Sequence, residues 1–406
     1  MCEEQRMSER FHFIDSDAHV IEPRDMFARY LEPKYRAQMP TAWADYQGEP
    51  LGFGFEIRVP RPSGGEYVMP FGDDPLTGRN RIDTHARLAA FDGGARIALP
   101  GHDEAYAEFA RQGFPPEMYA LAMERSGIDY MVVYPTAGLL TTAVPDLPAD
   151  TAAAYRRAYN NWLHDFCLAA GGRVFGAAAV DLRDAEEAAR EARRCVREFD
   201  FKAVYINPVP VGEHRLYDDF YDPLWTTLED LDVPLALHTG TGNAADHMLY
   251  HYLPRLRTAQ TTVAFTIGNM LACTALIMGG VLEQHPRLRV VHLESGAGWV
   301  PFWLDRLAAS VQGGLRGLDI PGLTMHPVEY FQRQCFISAD QDDPGIQQVI
   351  AALGDDNIVT ATDFGHPEGR RYTVTVQEIL ELPDVSLESK KKMMWDNALR
   401  LYPIRP

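Results

Sequence analysis

Eight short β-rich runs recur along this chain, most of them separated by helix-like stretches. They are FHFIDSDAHV (11–20), DYMVVYP (129–135), RVFGAAAVDL (173–182), FKAVYINP (201–208), VPLALHTG (233–240), RLRVVHLES (287–295), CFISAD (335–340) and NIVTATDF (357–364). Several are apolar almost throughout, the mark of parallel strands covered on both faces. Between them, RDAEEAAREARRCVREF pairs Glu and Arg about one turn apart around an Ala stripe, as an amphipathic surface helix does. Eight strand–helix units predict an α/β fold, a closed (β/α)8 TIM barrel. A length of 406 residues would suit two or three average domains, but barrels of this kind run long as one unit. We therefore read residues 1–406 as a single domain.

The pattern fails only over residues 36–125, which are rich in Gly, Pro and aromatics (LGFGFEIRVPRPSGGEYVMPFGDDP). Long segments of this kind usually carry function or small extra structure. An insertion after the first strand leaves a barrel on its active-site face. Residues 36–125 are thus expected to form a lid over the mouth, built of loops rather than a packed unit.

Composition narrows the function. A net charge of −19 argues against nucleic acid and anionic membrane surfaces as partners, since both select basic patches. The charge-free stretch from Thr258 to Leu282 contains Gln260, Asn269, several Thr and three Gly. It reads as a buried helix, since a membrane span is more uniformly apolar. Five scattered cysteines without a C-x-x-C exclude a disulfide scaffold and a cysteine zinc site. Together with an N-terminus that lacks a signal-peptide core, they lead us to expect a cytoplasmic enzyme with a small-molecule substrate.

Barrel enzymes place their chemistry at the C-terminal strand ends. The first run ends with Asp17 and His19, the fifth with His238, the sixth with His292 and Glu294, the seventh with Asp340 and the eighth with Asp363, with His366 just beyond. A charged group ending an apolar strand is costly to bury unless paired or metal-bound, and here the pattern repeats on several strands. It points to a divalent metal site of zinc, manganese or iron. Strand alternation puts Glu294 on the same face as His292, and His292 is the candidate acid or base. Tyr134 and Asn207 end the second and fourth runs and are candidates to line a substrate pocket. Arg79, Arg81 and Arg370 are candidates to hold a substrate carboxylate.

The motif D-x-H-x-x-E-P at Asp17–Pro23 resembles the first-strand signature of the amidohydrolase superfamily, in its amidohydrolase-related branch of aminocarboxymuconate-semialdehyde decarboxylase and γ-resorcylate decarboxylase type enzymes. The resemblance continues through GIDYMVVYPT (127–136), YNNWLHDFC (159–167), the block 279–307, TATDFGHPEG (360–369) and MWDNALRLY (394–402). It implies Asp17, His19, His238 and Asp363 as metal ligands, His292 and Asp363 as catalytic residues, and a homodimer. Many members have H-x-H where this chain has Asp17-x-His19. The resorcylate decarboxylase branch has a carboxylate there. The activity implied is metal-assisted hydrolysis or non-oxidative decarboxylation of a carboxylated substrate. The resemblance also reaches a diiron monooxygenase branch from platensimycin and platencin biosynthesis, which would hold two Fe ions, recruit His292 and Glu294, and hydroxylate a terpenoid intermediate. A third reading is a barrel that only binds a ligand.

Overall fold

The computed structural model describes residues 11–47, 52–69, 97–98, 104–139, 141–238, 253, 257–312, 322–366 and 368–406. Eight parallel strands form one sheet in the order β1 (Ile14–His19), β6 (Tyr130–Tyr134), β7 (Val174–Ala179), β8 (Ala203–Ile206), β9 (Leu235–His238), β10 (Val290–Leu293), β11 (Cys335–Asp340) and β12 (Ile358–Ala361). β12 lies against β1. The ring closes at its C-terminal rim through Asp363 N–H to Asp17 O (3.0 Å) and His19 N–H to Phe364 O (2.7 Å). This is the expected (β/α)8 barrel, and each of the eight runs supplies one strand. Their Val, Ile, Leu and Ala side chains are buried on both faces, against the barrel interior and against the helix layer.

The helices follow from their sequences. Ala185–Phe199 is capped by Asp184, whose carboxylate accepts from Glu187 N–H, and it buries Ala185, Ala188, Ala189, Ala192 and Cys195 as one stripe. The charge-free stretch forms the helix Arg257–Met278. Among the described residues no helix is long and apolar enough to cross a membrane.

Part of the region 36–125 is more ordered in pattern than its composition suggested. Strands β2 (Thr41–Gln47), β3 (Gly52–Pro60) and β4 (Glu66–Met69) form an antiparallel sheet, and β5 (Ile97–Ala98) pairs with β3. The turn between β3 and β4 places Gly64 and Gly65 at positive φ, which glycine adopts without steric cost. Reading the Gly content as loop overlooked that the same residue type makes hairpin turns.

Glu22 ties the first barrel loop to the second. Its fully buried carboxylate accepts from Thr136 N–H (3.0 Å), Ala137 N–H (2.9 Å) and Gly138 N–H (2.9 Å), just past β6. Burial pushes this carboxyl up to about 7, against the pull of the three amides. Glu22→Gln would turn an NH2 group toward a backbone N–H and leave donors unpaired. We expect a loss of about 1–3 kcal/mol, read as a lower urea midpoint with an unchanged slope.

Candidate metal centre

β1 does not alternate regularly. Its register against β6 slips between Asp15 and Ala18, so one extra residue is accommodated where the ligand-type side chains begin. Asp15 is turned to β12, accepting from Thr362 N–H (3.0 Å) and the Thr362 hydroxyl. Burial pushes it up to about 7. Asp17 and His19 instead reach the mouth.

There Asp17, His19 and His238 converge, all buried. His238 Nε2 lies 3.2 Å from His19 Nε2 and 3.3 Å from Asp17 Oδ1. His19 Nε2 is also 3.6 Å from Asp17 Oδ1 and 3.4 Å from Asp363 Oδ1. His19, Asp363 and His366 form a second trio of ligand type. The His366 ring stacks on His19 with centroids 3.6 Å apart. Its Nδ1 sits 3.0 Å from Asp363 Oδ1, and its Nε2 sits 2.9 Å from the Thr136 hydroxyl.

The tautomer of His19 decides what this cluster can hold. Its Nδ1 lies 3.0 Å from Pro135 O and donates to it, which leaves a lone pair on Nε2. Burial, then the neighbouring His366 and His238, hold its pKa well below the usual histidine range. A neutral imidazole lone pair thus faces two carboxylate oxygens, and Asp17 Oδ1 is buried and accepts no hydrogen bond. A buried carboxylate oxygen that receives no hydrogen bond and faces an imidazole lone pair is costly unless a cation lies between them. The residues present therefore fit a divalent ion with mixed nitrogen and oxygen ligands.

Asp363 and Glu294 reach the site by the same device. Both end a strand with positive φ, +53° and +47°. Asp tolerates that region, but it is uncommon for Glu, and such strain concentrates at functional sites. The turn breaks the alternation, and Glu294 Oε2 comes to 3.6 Å from His238 Nε2.

His292 does not join them. In the β9–β10 ladder His238 pairs with Leu293, and His292 pairs with Leu237. Paired residues in a ladder share a face, so His292 points away from the side that His238 occupies. Its Nδ1 lies 2.9 Å from Asn269 Oδ1 on the helix Arg257–Met278, and its ring packs on Trp299 and Phe331 of two further helices. Burial pushes it down to about 3. The expectation that His292 and Glu294 share a face is corrected: Glu294 faces the cluster, and His292 lies in the helix layer.

Tyr134 is also redirected. It is buried with its ring 5.5 Å from His238, and its hydroxyl pairs with that of Tyr402 at 3.2 Å. It supports His238 from the side. Asn207 lines a cleft beside the mouth. Asp340 is exposed at the end of β11, outside both trios. Arg79, Arg81 and the side chain of Arg370 lie outside the described residues. Sequence reasoning overlooked Glu22 as an anchor, although it stands in the quoted D-x-H-x-x-E-P motif.

The amidohydrolase family profile matches residues 82–404. This chain belongs to the amidohydrolase family. It is similar to the γ-resorcylate decarboxylase of Rhodococcus jostii, 28% identical over 258 residues, covering 60% of this chain and 74% of the relative. An amidohydrolase of Mycobacterium avium subsp. paratuberculosis superposes with a TM-score of 0.71 at 22% identity, covering 97% of this chain and 98% of the other. The 5-carboxyvanillate decarboxylase of Novosphingobium aromaticivorans, complexed with manganese and 4-hydroxy-3-methoxy-5-nitrobenzoic acid, superposes at 0.65 with 19% identity, covering 97% and 96%. These two structures share the fold of this amidohydrolase-family enzyme.

The outward placement of His292 is open to direct test. His292→Phe keeps a ring between Trp299 and Phe331 but removes the partner of Asn269. We expect bound metal to remain at the wild-type level and stability to fall by about 1–3 kcal/mol. Metal analysis after gel filtration and thermal unfolding measure the two effects. Loss of the ion would return His292 to the mouth.

Proposed function

We propose that this chain is a divalent-metal-dependent decarboxylase of a small aromatic carboxylate, with Asp17, His19, His238 and Asp363 as the metal ligands. The observation that carries the reading is the convergence of acceptors around the fixed lone pair of His19 Nε2. The curated relatives that decarboxylate γ-resorcylate support the substrate class. A bound Mn²⁺ or Zn²⁺ supplies Lewis acidity toward a substrate oxygen.

The chain's own residues account for the rest. In a non-oxidative decarboxylation the ring-to-carboxyl bond breaks, its electron pair stays with the ring carbon, and a proton takes the place of the departing CO2. Glu294 is the group placed to deliver that proton, since its carboxylate stands beside His238 and is partly open to solvent, from which it can be reprotonated. His366 holds Asp363 through Nδ1 and takes the Thr136 hydroxyl at Nε2. It thereby fixes the direction of the Asp363 carboxylate toward His19. Three tyrosines from the 36–125 region donate to backbone carbonyls at the site. They are Tyr46 to Gly365 O (2.6 Å), Tyr106 to His366 O, and Tyr119 to His19 O (2.5 Å). They support a lid that shields the chemistry from bulk water.

The count of ions separates this reading from the two-iron one. Both trios rely on His19, whose single free lone pair can serve one ion. A second ion would have recruited His292, whose ring lies among the outer helices. Among the described residues the geometry therefore supports one ion per chain, and turnover without oxygen is expected with it.

The tests are metal content, oxygen dependence and two variants. Protein purified without added metal should carry about one equivalent of manganese or zinc and release CO2 from 2,6-dihydroxybenzoate or a related hydroxybenzoate under anaerobic conditions. Asp363→Ala should lose the ion while the barrel still folds. Glu294→Gln should keep it and lose roughly 10²–10⁴ in rate. Two equivalents of iron with oxygen-dependent turnover would overturn the proposal.

A further inference from the structure

A second polar feature lies beside the metal cluster and is used by nothing described so far. Past the ends of β6, β7 and β8 the barrel rim opens into a small, partly open cleft. Its walls include the apolar side chains of Leu139, Val180, Leu182 and Ile206, and Arg156 and Asn207 also line it.

Arg156 is 3% exposed. Its Nη1 donates to Gly138 O (2.6 Å) and its Nη2 to the Thr142 hydroxyl (2.7 Å), while its Nε, buried as well, donates to nothing. Both partners are neutral, and no carboxylate lies within ion-pair distance of Arg156 among the described residues. Holding the 138–142 loop accounts for two of its nitrogens. It does not account for a buried charge left without a counter-ion, a costly state in a folded protein. The other cation of the cleft, Arg183, is neutralised by Asp181 at 2.7 Å. The cleft thus keeps a net positive charge within a chain whose own balance is −19. Asn207 adds a donor, since its Oδ1 accepts from Val209 N–H (3.1 Å) and its amide nitrogen makes no bond within the described residues.

Tyr205 connects this cleft to the cluster. The Arg156 guanidinium stands 5.5 Å over its ring, and the same ring meets His238 edge-on at 6.2 Å. One tyrosine ring separates the unmatched cation from an imidazole of the metal site.

We infer that this cleft is a carboxylate subsite, in which Arg156 and Asn207 receive a carboxylate borne on an apolar or aromatic body. That the carboxylate belongs to the substrate, as a second anionic group remote from the one lost as CO2, rests on the decarboxylase reading. The subsite itself rests on the cleft alone.

Benzoate is the probe, titrated calorimetrically into the full chain with manganese and again after chelation. The expected result is weak binding, with a Kd on the order of millimolar, that survives removal of the metal. Arg156→Gln should weaken it roughly tenfold or more, with manganese content unchanged. Because Arg156 also holds a loop, Arg156→Lys and Asn207→Ala provide independent variants. The lysine should retain part of the affinity, and the alanine should lose severalfold without unfolding. Benzoate binding that requires manganese and ignores all three substitutions would overturn the subsite. So would a wild-type chain that binds no benzoate in either state. Manganese is measured separately. A chain that takes up neither manganese nor zinc, yet binds benzoate through Arg156, would end the decarboxylase reading and leave the subsite standing.

Discussion

The seam between the first and last barrel strands is the constraint on which the rest of the structure depends. A cylinder of parallel strands must join its two sequence-distant edges, and here the join is made by Asp17, His19, Asp363 and Phe364 through their backbones. The same residues carry the side chains of the cluster. Closing the barrel therefore brings Asp17 and His19 to Asp363 across some 340 residues of intervening chain, and no separate device is needed to bring them together. Gly365 shows how close the approach is. At φ +107°, a Cβ there would stand 2.5 Å from His19 O, so only glycine lets the loop after β12 pass over β1.

Around that seam the structure fixes the direction of each polar group. Pro135 O sets the tautomer of His19, Thr136 and Asp363 hold His366, and the amides after β6 hold Glu22. Asp363 and Glu294 both leave their strands through a left-handed residue. Residues held in that region concentrate at functional sites. The strain is local, and the packed barrel wall beneath it over-determines the backbone.

Chemically, the site divides into a part that concentrates negative charge and a part that leaves positive charge unmatched. Carboxylates and neutral imidazoles meet at the seam and suit a cation. Arg156 stands one aromatic ring away and suits an anion. In this amidohydrolase-family barrel the two features lie on either side of the Tyr205 ring, so the polarity changes sign across one aromatic side chain.

The sequence by itself determined the barrel and most of the cluster. Buried parallel strands must be apolar, so eight such runs count the strands. A His or Asp ending such a run has few reasons to be there. The strand ends marked Asp17, His19, His238 and Asp363 as ligand types, but His292 and Asp340 equally, and the family resemblance singled out the first four. What only the tertiary structure decided is which way side chains point where the pleat is interrupted. The face of His292 follows from the β9–β10 register, and the inward turn of Glu294 from one positive φ. Neither leaves a trace in residue type. The sheet within the 36–125 region was hidden because glycine marks loops and hairpins alike. Arg156 was hidden because an arginine in a helix reads as a surface charge until packing removes its water. Periodicity records burial, and burial is set by average composition. Direction and charge matching depend on contacts between residues far apart in the chain, which form only when the barrel closes.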